Sequence, residues 1–281
     1  MCDQNEHEEL IKKYTRRDFG AFAASAGMLA ALPSVANAAA VSEREVTIAT
    51  PDGQCDAYFV APSSGEAPGV LVWPDVFGLR PAFRQMGRRL AESGYSVLVV
   101  NPFYRQKKAP TAAQGGQTPI AEVMPLMQAL TPAMHLSDGK SFVAWLDGQQ
   151  EVDKTRKIGT TGYCMGGPIA VRTALVAPSR VGAVGTFHGA GMVTPAPDSP
   201  HRLVAQTRAS YLIAIAESDD TKEPEAKGAL RAAFDSAKLQ AEVEVYPAAH
   251  GWCPPDTRVY DAAQADRAWG RLLATFGKAL A

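Results

Sequence analysis

From Gly69 onward the chain alternates short apolar runs with longer stretches whose apolar residues recur every three or four positions. Gly69-Val70-Leu71-Val72-Trp73 is the first run, and residues 97–100, 158–162, 181–187, 211–216 and 242–246 continue the series. A strand that is apolar on both faces belongs inside a parallel sheet covered on both sides. Between the runs, Pro81 opens a helix with the face Phe83, Met86 and Leu90, and Gly94 ends it. Helical spacing also covers residues 120–130, 137–149, 167–177 and 225–239. Ala265, Trp269, Leu272 and Phe276 define a closing helix. Upstream, Glu45-Val46-Thr47-Ile48 alternates, Pro51-Asp52-Gly53 turns, and residues 55–60 return, which reads as a hairpin. Residues 106–119 and 189–206 are polar or Pro-rich connections. Strand and helix thus alternate over ~200 residues, predicting an α/β architecture: a mostly parallel central sheet with helices on both faces. Ligands of such sheets sit beyond the carboxyl ends of the strands.

The first 38 residues do not share this pattern. Arg16-Arg17-Asp18-Phe19 precedes an apolar stretch from Ala21 to Leu32, which leads to Ala36-Asn37-Ala38. A charged head, a short apolar middle and a small-x-small end form an export signal, and the paired arginines favour the twin-arginine route. The apolar run is shorter than the ~20 residues a membrane span needs. The expectation is a leader over residues 1–38, read by the twin-arginine export machinery, and a single domain over residues 39–281 that is periplasmic or secreted.

Composition narrows the function. The leader holds four Lys/Arg and five Asp/Glu, which leaves 24 of each sign in the remainder. That balance gives no footprint for nucleic acid or an anionic membrane. Cys55, Cys164 and Cys253 lie beyond the leader, and no CxxC or Cys/His metal spacing is present. The expectation is chemistry without metal or cofactor.

Chemistry concentrates in Gly162-Tyr163-Cys164-Met165-Gly166-Gly167, between a strand and a helix. In such a nucleophile elbow the flanking residues must be small, because strand and helix approach closely. The turn exposes the nucleophile and aims the next backbone N–H, that of Met165, at a developing oxyanion. The helix N-terminus favours a thiolate there. His250 follows the last strand, where this architecture delivers its general base. His188 also follows a strand and reads as a neutral core or supporting residue. The acid comes between nucleophile and base in chain order. Glu217-Ser218-Asp219-Asp220 fits, and spacing does not choose between Asp219 and Asp220.

These segments resemble the dienelactone hydrolase family (carboxymethylenebutenolidases). The matching stretches are WPDVFGLRPAFRQMGRRLAESGYSVLVVNPFYRQ, GYCMGG, AESDD and AAHGW, spread over nearly all of the chain after residue 38. The resemblance implies the α/β-hydrolase fold and a Cys164–His250–Asp219 triad that hydrolyses an enol-lactone or related ester through an acyl-thioester, with Asp219 favoured over Asp220. It also implies that Val76 supplies a second oxyanion N–H. Asp75 stands where the family usually has a Glu that modulates the resting thiol. Arg105 stands near the position of an arginine that grips a substrate carboxylate. A second such arginine is replaced by Pro254, with Arg258 further along. The expected substrate is therefore a small lactone or carboxylic ester. The competing readings are a general thiol esterase or peptidase-like hydrolase on the same fold, and a secreted binding protein with a decayed site.

Overall fold

The computed structural model describes residues 30–281. The twin-arginine pair and the start of the apolar stretch lie outside the described residues. Ala30 donates its N–H to the Pro255 carbonyl at 3.2 Å, and Leu32 packs against the domain's core.

Eight strands form one sheet: β1 (Val41–Thr50), β2 (Gly53–Pro62), β3 (Gly69–Trp73), β4 (Ser96–Val100), β5 (Ile158–Tyr163), β6 (Val181–Phe187), β7 (Ser210–Ala216) and β8 (Ala241–Tyr246). Their order is β1-β2-β4-β3-β5-β6-β7-β8. The β1–β2 hairpin and the β2–β4 pair are antiparallel, and all later pairs are parallel. The chain therefore has the mostly parallel α/β sheet that the alternation of runs predicts, in the α/β-hydrolase fold that the resemblance implies.

The helices are α1 (Pro81–Glu92), α2 (Ile120–Gln128), α3 (Pro132–Asp147), α4 (Gly166–Val176), α5 (Pro200–Leu203), α6 (Glu217–Lys222), α7 (Ala226–Ala237) and α8 (Ala262–Ala279). Alternate strand residues feed two cores. Leu71, Leu98 and Ile213 face α3, α4 and α7, whose Phe142, Ile169 and Phe234 fill that side. Val70, Val97 and Leu212 face α1 and α8, with Phe83, Leu90, Leu272 and Phe276. Period-two alternation between two buried faces is what makes these strands apolar throughout.

Three departures from the sequence pattern have local causes. The hairpin strands extend beyond the alternating residues, because backbone pairing continues from Val41↔Pro62 to Thr50↔Gly53 regardless of side-chain type. Helix α3 begins at Pro132 rather than near residue 137: Thr131 caps it by accepting from Met134 N–H, and Pro132 occupies its first turn. Helix α6 is a further helix within the acidic stretch, its first turn carrying Glu217, Asp219 and Asp220, where negative charge suits the helix dipole.

Candidate active site

The nucleophile turn is shaped by three crowded glycines. A Cβ on Gly162 would lie 1.9 Å from the Gly166 carbonyl oxygen, and one on Gly166 would lie 2.3 Å from the Trp73 carbonyl oxygen. A Cβ on Gly167 would lie 2.9 Å from the Gly189 Cα. These are backbone atoms that cannot step aside, so the G-x-C-x-G-G pattern is a packing requirement. Between them, Cys164 adopts φ +53°, a left-handed conformation that costs a non-glycine residue roughly 1–2 kcal/mol. Hydrogen bonds hold it there: Cys164 N–H donates to the Phe187 carbonyl, and its own carbonyl accepts from Gly167 and Ala190, each at 3.1 Å. Met165 directly precedes α4, whose first N–H groups have no partners within the helix. Met165 and Val76 lie in one apolar cluster, and Cys164 packs against it. The structure thus brings together the thiol and both residues whose N–H groups would form an oxyanion hole.

His250 is held by the segment that follows β7. Its Nδ1 lies 2.8 Å from Asp219 Oδ2. Its backbone N–H donates to Ser218 Oγ at 2.9 Å, and Glu217 N–H donates to the Ala248 carbonyl at 3.0 Å. Burial on its own would lower the imidazole's pKa. Cys164 and Asp219 act against it and raise the group well above its ordinary range. Asp220 points elsewhere, to Lys227 Nζ at 2.7 and 2.8 Å. Geometry therefore separates the two aspartates that spacing left equivalent. Ser218 was not singled out by the sequence; its position inside the acidic stretch was the only signal.

His188 supports the base rather than joining it. It is fully buried, and its ring lies 5.0 Å from those of both His250 and Trp252, edge to face. Burial, with repulsion from His250, holds its pKa well below the ordinary histidine value. It is a neutral wall against which the His250 ring rests.

Two residues are placed differently from what the resemblance implies. Asp75 does not hydrogen-bond Cys164. Its oxygens accept from Arg80 at 2.7 and 3.0 Å and from Phe77 N–H at 2.9 Å. Being one methylene shorter than Glu, it is satisfied by its own loop. Arg105 is not an open guanidinium. It bonds Asp52 at 2.6 and 3.0 Å and Asp138 through two 2.7 Å contacts. The exposed Arg258 donates to Gln117 Oε1 at 2.9 Å. All three cysteines among the described residues are free thiols. Cys253 packs among the α1 and α8 side chains, away from the cluster that Cys164 joins, and burial pushes its thiol up.

Residues 55–280 match the model of the dienelactone hydrolase family. The chain belongs to that family. It is at that level a hydrolase acting on esters or lactones. A candidate carboxymethylenebutenolidase of Synechocystis sp. is 28% identical over 238 residues, covering 82% of this chain and 94% of that protein. A carboxymethylenebutenolidase of Rhodococcus opacus is 28% identical over 120 residues, 43% of each chain. Among solved structures, a candidate dienelactone hydrolase of Klebsiella pneumoniae superposes with TM-score 0.75 at 24% identity, covering 85% of this chain and 99% of that one. A dienelactone hydrolase-like promiscuous phosphotriesterase from metagenomic libraries gives TM-score 0.72 at 24% identity, covering 86% and 100%. At that identity the structural likeness speaks for the fold.

Proposed function

We propose that this dienelactone hydrolase-like protein hydrolyses small lactones or carboxylic esters with Cys164 as nucleophile, His250 as general base and Asp219 as the carboxylate that orients it. The observation that carries the reading is the Asp219–His250 hydrogen bond beside a cysteine held at positive φ in a strand-to-helix turn. His250 takes the thiol proton as sulfur attacks the ester carbonyl carbon. The carbonyl electrons move to oxygen, where the N–H groups of Met165 and Val76 would receive the negative charge. Collapse expels the alkoxide, which takes the proton from His250, and leaves an acyl-thioester on Cys164. Water, deprotonated by His250, attacks the thioester by the same route and releases the acid. Asp219 keeps Nδ1 protonated and stabilises the imidazolium formed in each half. Neutral His188 keeps the ring in place without competing for the proton.

Cys164→Ala should lower kcat on a chromogenic ester by roughly 10³-fold or more, and His250→Ala should be about as damaging. The double variant should be little worse than either single one, because the pair acts as a unit. Near-normal turnover by Cys164→Ala would sink the assignment. Quenching wild-type enzyme with acid during turnover should show the acyl adduct on the Cys164 peptide by mass.

The leader supports a second part of the reading, export through the twin-arginine machinery to a periplasmic or secreted location. What supports it is the order Arg16-Arg17, apolar 21–32, Ala36-Asn37-Ala38.

A further inference from the structure

Cys164 packs against an apolar cluster. Val76, Phe103, Ala112, Val123 and Met165 are buried in it, and α2 continues it with half-buried residues such as Leu126 and Met127. α2 and Cys164 thus pack against one apolar cluster, and such a surface offers the substrate no hydrogen-bond partners. A carboxylate placed there would lose its hydration without compensation.

Arg80 and Arg105, in the connections that carry Val76 and Phe103, could supply that compensation only if they were open, and they are not. Arg80 is fully buried, and its five N–H donors are all engaged: four bonds go to Asp75 and Asp256 and one to the Gly78 carbonyl. Arg105 makes four bonds, all to Asp52 and Asp138. In each group one guanidinium meets two carboxylates, so each carries an excess of negative charge. An incoming carboxylate would meet repulsion and would have to displace a formed pair. Arg258 is exposed, where water screens its charge.

We propose that the acyl pocket takes an uncharged, apolar acyl group and disfavours acyl groups that carry a carboxylate. The inference rests on the hydrolytic reading of Cys164 but names a narrower substrate class than that reading does. α2 is the specificity element, and Leu126 and Met127 are the residues whose change would alter it.

The test compares probes matched in length. Wild-type enzyme should hydrolyse p-nitrophenyl butyrate with kcat/KM at least about 100-fold above that for mono-p-nitrophenyl succinate, since the added carboxylate is unpaired in apolar surroundings. Leu126→Lys should narrow the ratio by about tenfold, because a lysine can reach the site edge from a helix stem. A second measurement needs no turnover. Cys164 should react faster with N-ethylmaleimide than with 3-maleimidopropionate, after each rate is divided by that with 2-mercaptoethanol and read on the Cys164 peptide by mass. Equal handling of the neutral and anionic members, or preference for the anionic one, in either pair overturns the proposal. If neither ester turns over while the maleimide preference holds, the hydrolytic reading falls and the apolar site stands.

Discussion

Asp219 and Asp220 are chain neighbours with different partners, one on His250 and the other on Lys227. That difference has a pH signature. The folded protein holds the His250 proton more tightly than the unfolded chain does, where the group titrates near ~6.5. The pair's contribution to stability is therefore complete below that value and fades as pH rises through the elevated folded value. Asp219→Asn removes one of the attractions. Its deficit in urea midpoint relative to wild type should be largest near pH 6 and shrink by pH 9. Asp220→Asn should show a deficit that changes little over the same range, since it leaves the imidazole's partner in place. A deficit for Asp219→Asn that grows toward alkaline pH would contradict the assignment. At this scale the sequence was informative where a residue's role is set by its own segment. The Cys164 turn was legible because its glycines are a local packing demand. The partners of Arg105 were not, because Asp52 and Asp138 lie 53 and 33 residues away and only the fold brings them together.

Arg80 shows what one side chain does for several elements. It stands before α1, bonds Asp75 in the loop that carries Val76, and bonds Asp256 in the loop that follows His250. Asp256 also accepts from Gly116 N–H at 2.8 Å in the connection ahead of α2. The guanidinium lies over Phe77 and Phe83, 5.4 and 4.9 Å from their ring centres. Three connections around the site are thus tied at one buried charge. Arg80→Met would leave the buried Asp75 and the half-buried Asp256 without their guanidinium, at a cost of about 3–5 kcal/mol. That is a large share of a stability of about 5–15 kcal/mol for a typical domain. Chemical denaturation should show the loss directly. Turnover at low temperature, where the variant is still folded, should fall as well, because the oxyanion loop and the base loop lose their common anchor. A variant as stable as wild type would show that the charges are solvated in solution. The elements themselves were mostly readable from apolar periodicity. Those that escaped, the first turn of α3, the four-residue α5 and the whole of α6, are short or built from capping, proline and acidic residues, which carry no periodic signal.

The molecule as a whole places Cys164 at the end of β5, inside the sheet, and Asp219 and His250 after β7 and β8. If the leader is of the folded-protein type, this site is assembled before transport. Arg16→Lys with Arg17→Lys should strand active precursor in the cytoplasm, measured as esterase activity in fractionated cells. Normal export of that variant would count against the twin-arginine route. The sheet order carries one more consequence. β8 is an outermost strand with a single neighbour, and His250 hangs from the loop directly after it. Outer strands open at lower free energy than inner ones. Opening at this edge would withdraw the base while the elbow, braced on both sides by β3 and β6, stays formed. Catalysis would then be the most fragile property of the protein. In rising urea, activity should vanish at a concentration where far-ultraviolet circular dichroism is still unchanged, and amides of β8 should exchange with solvent deuterium ahead of those of β5.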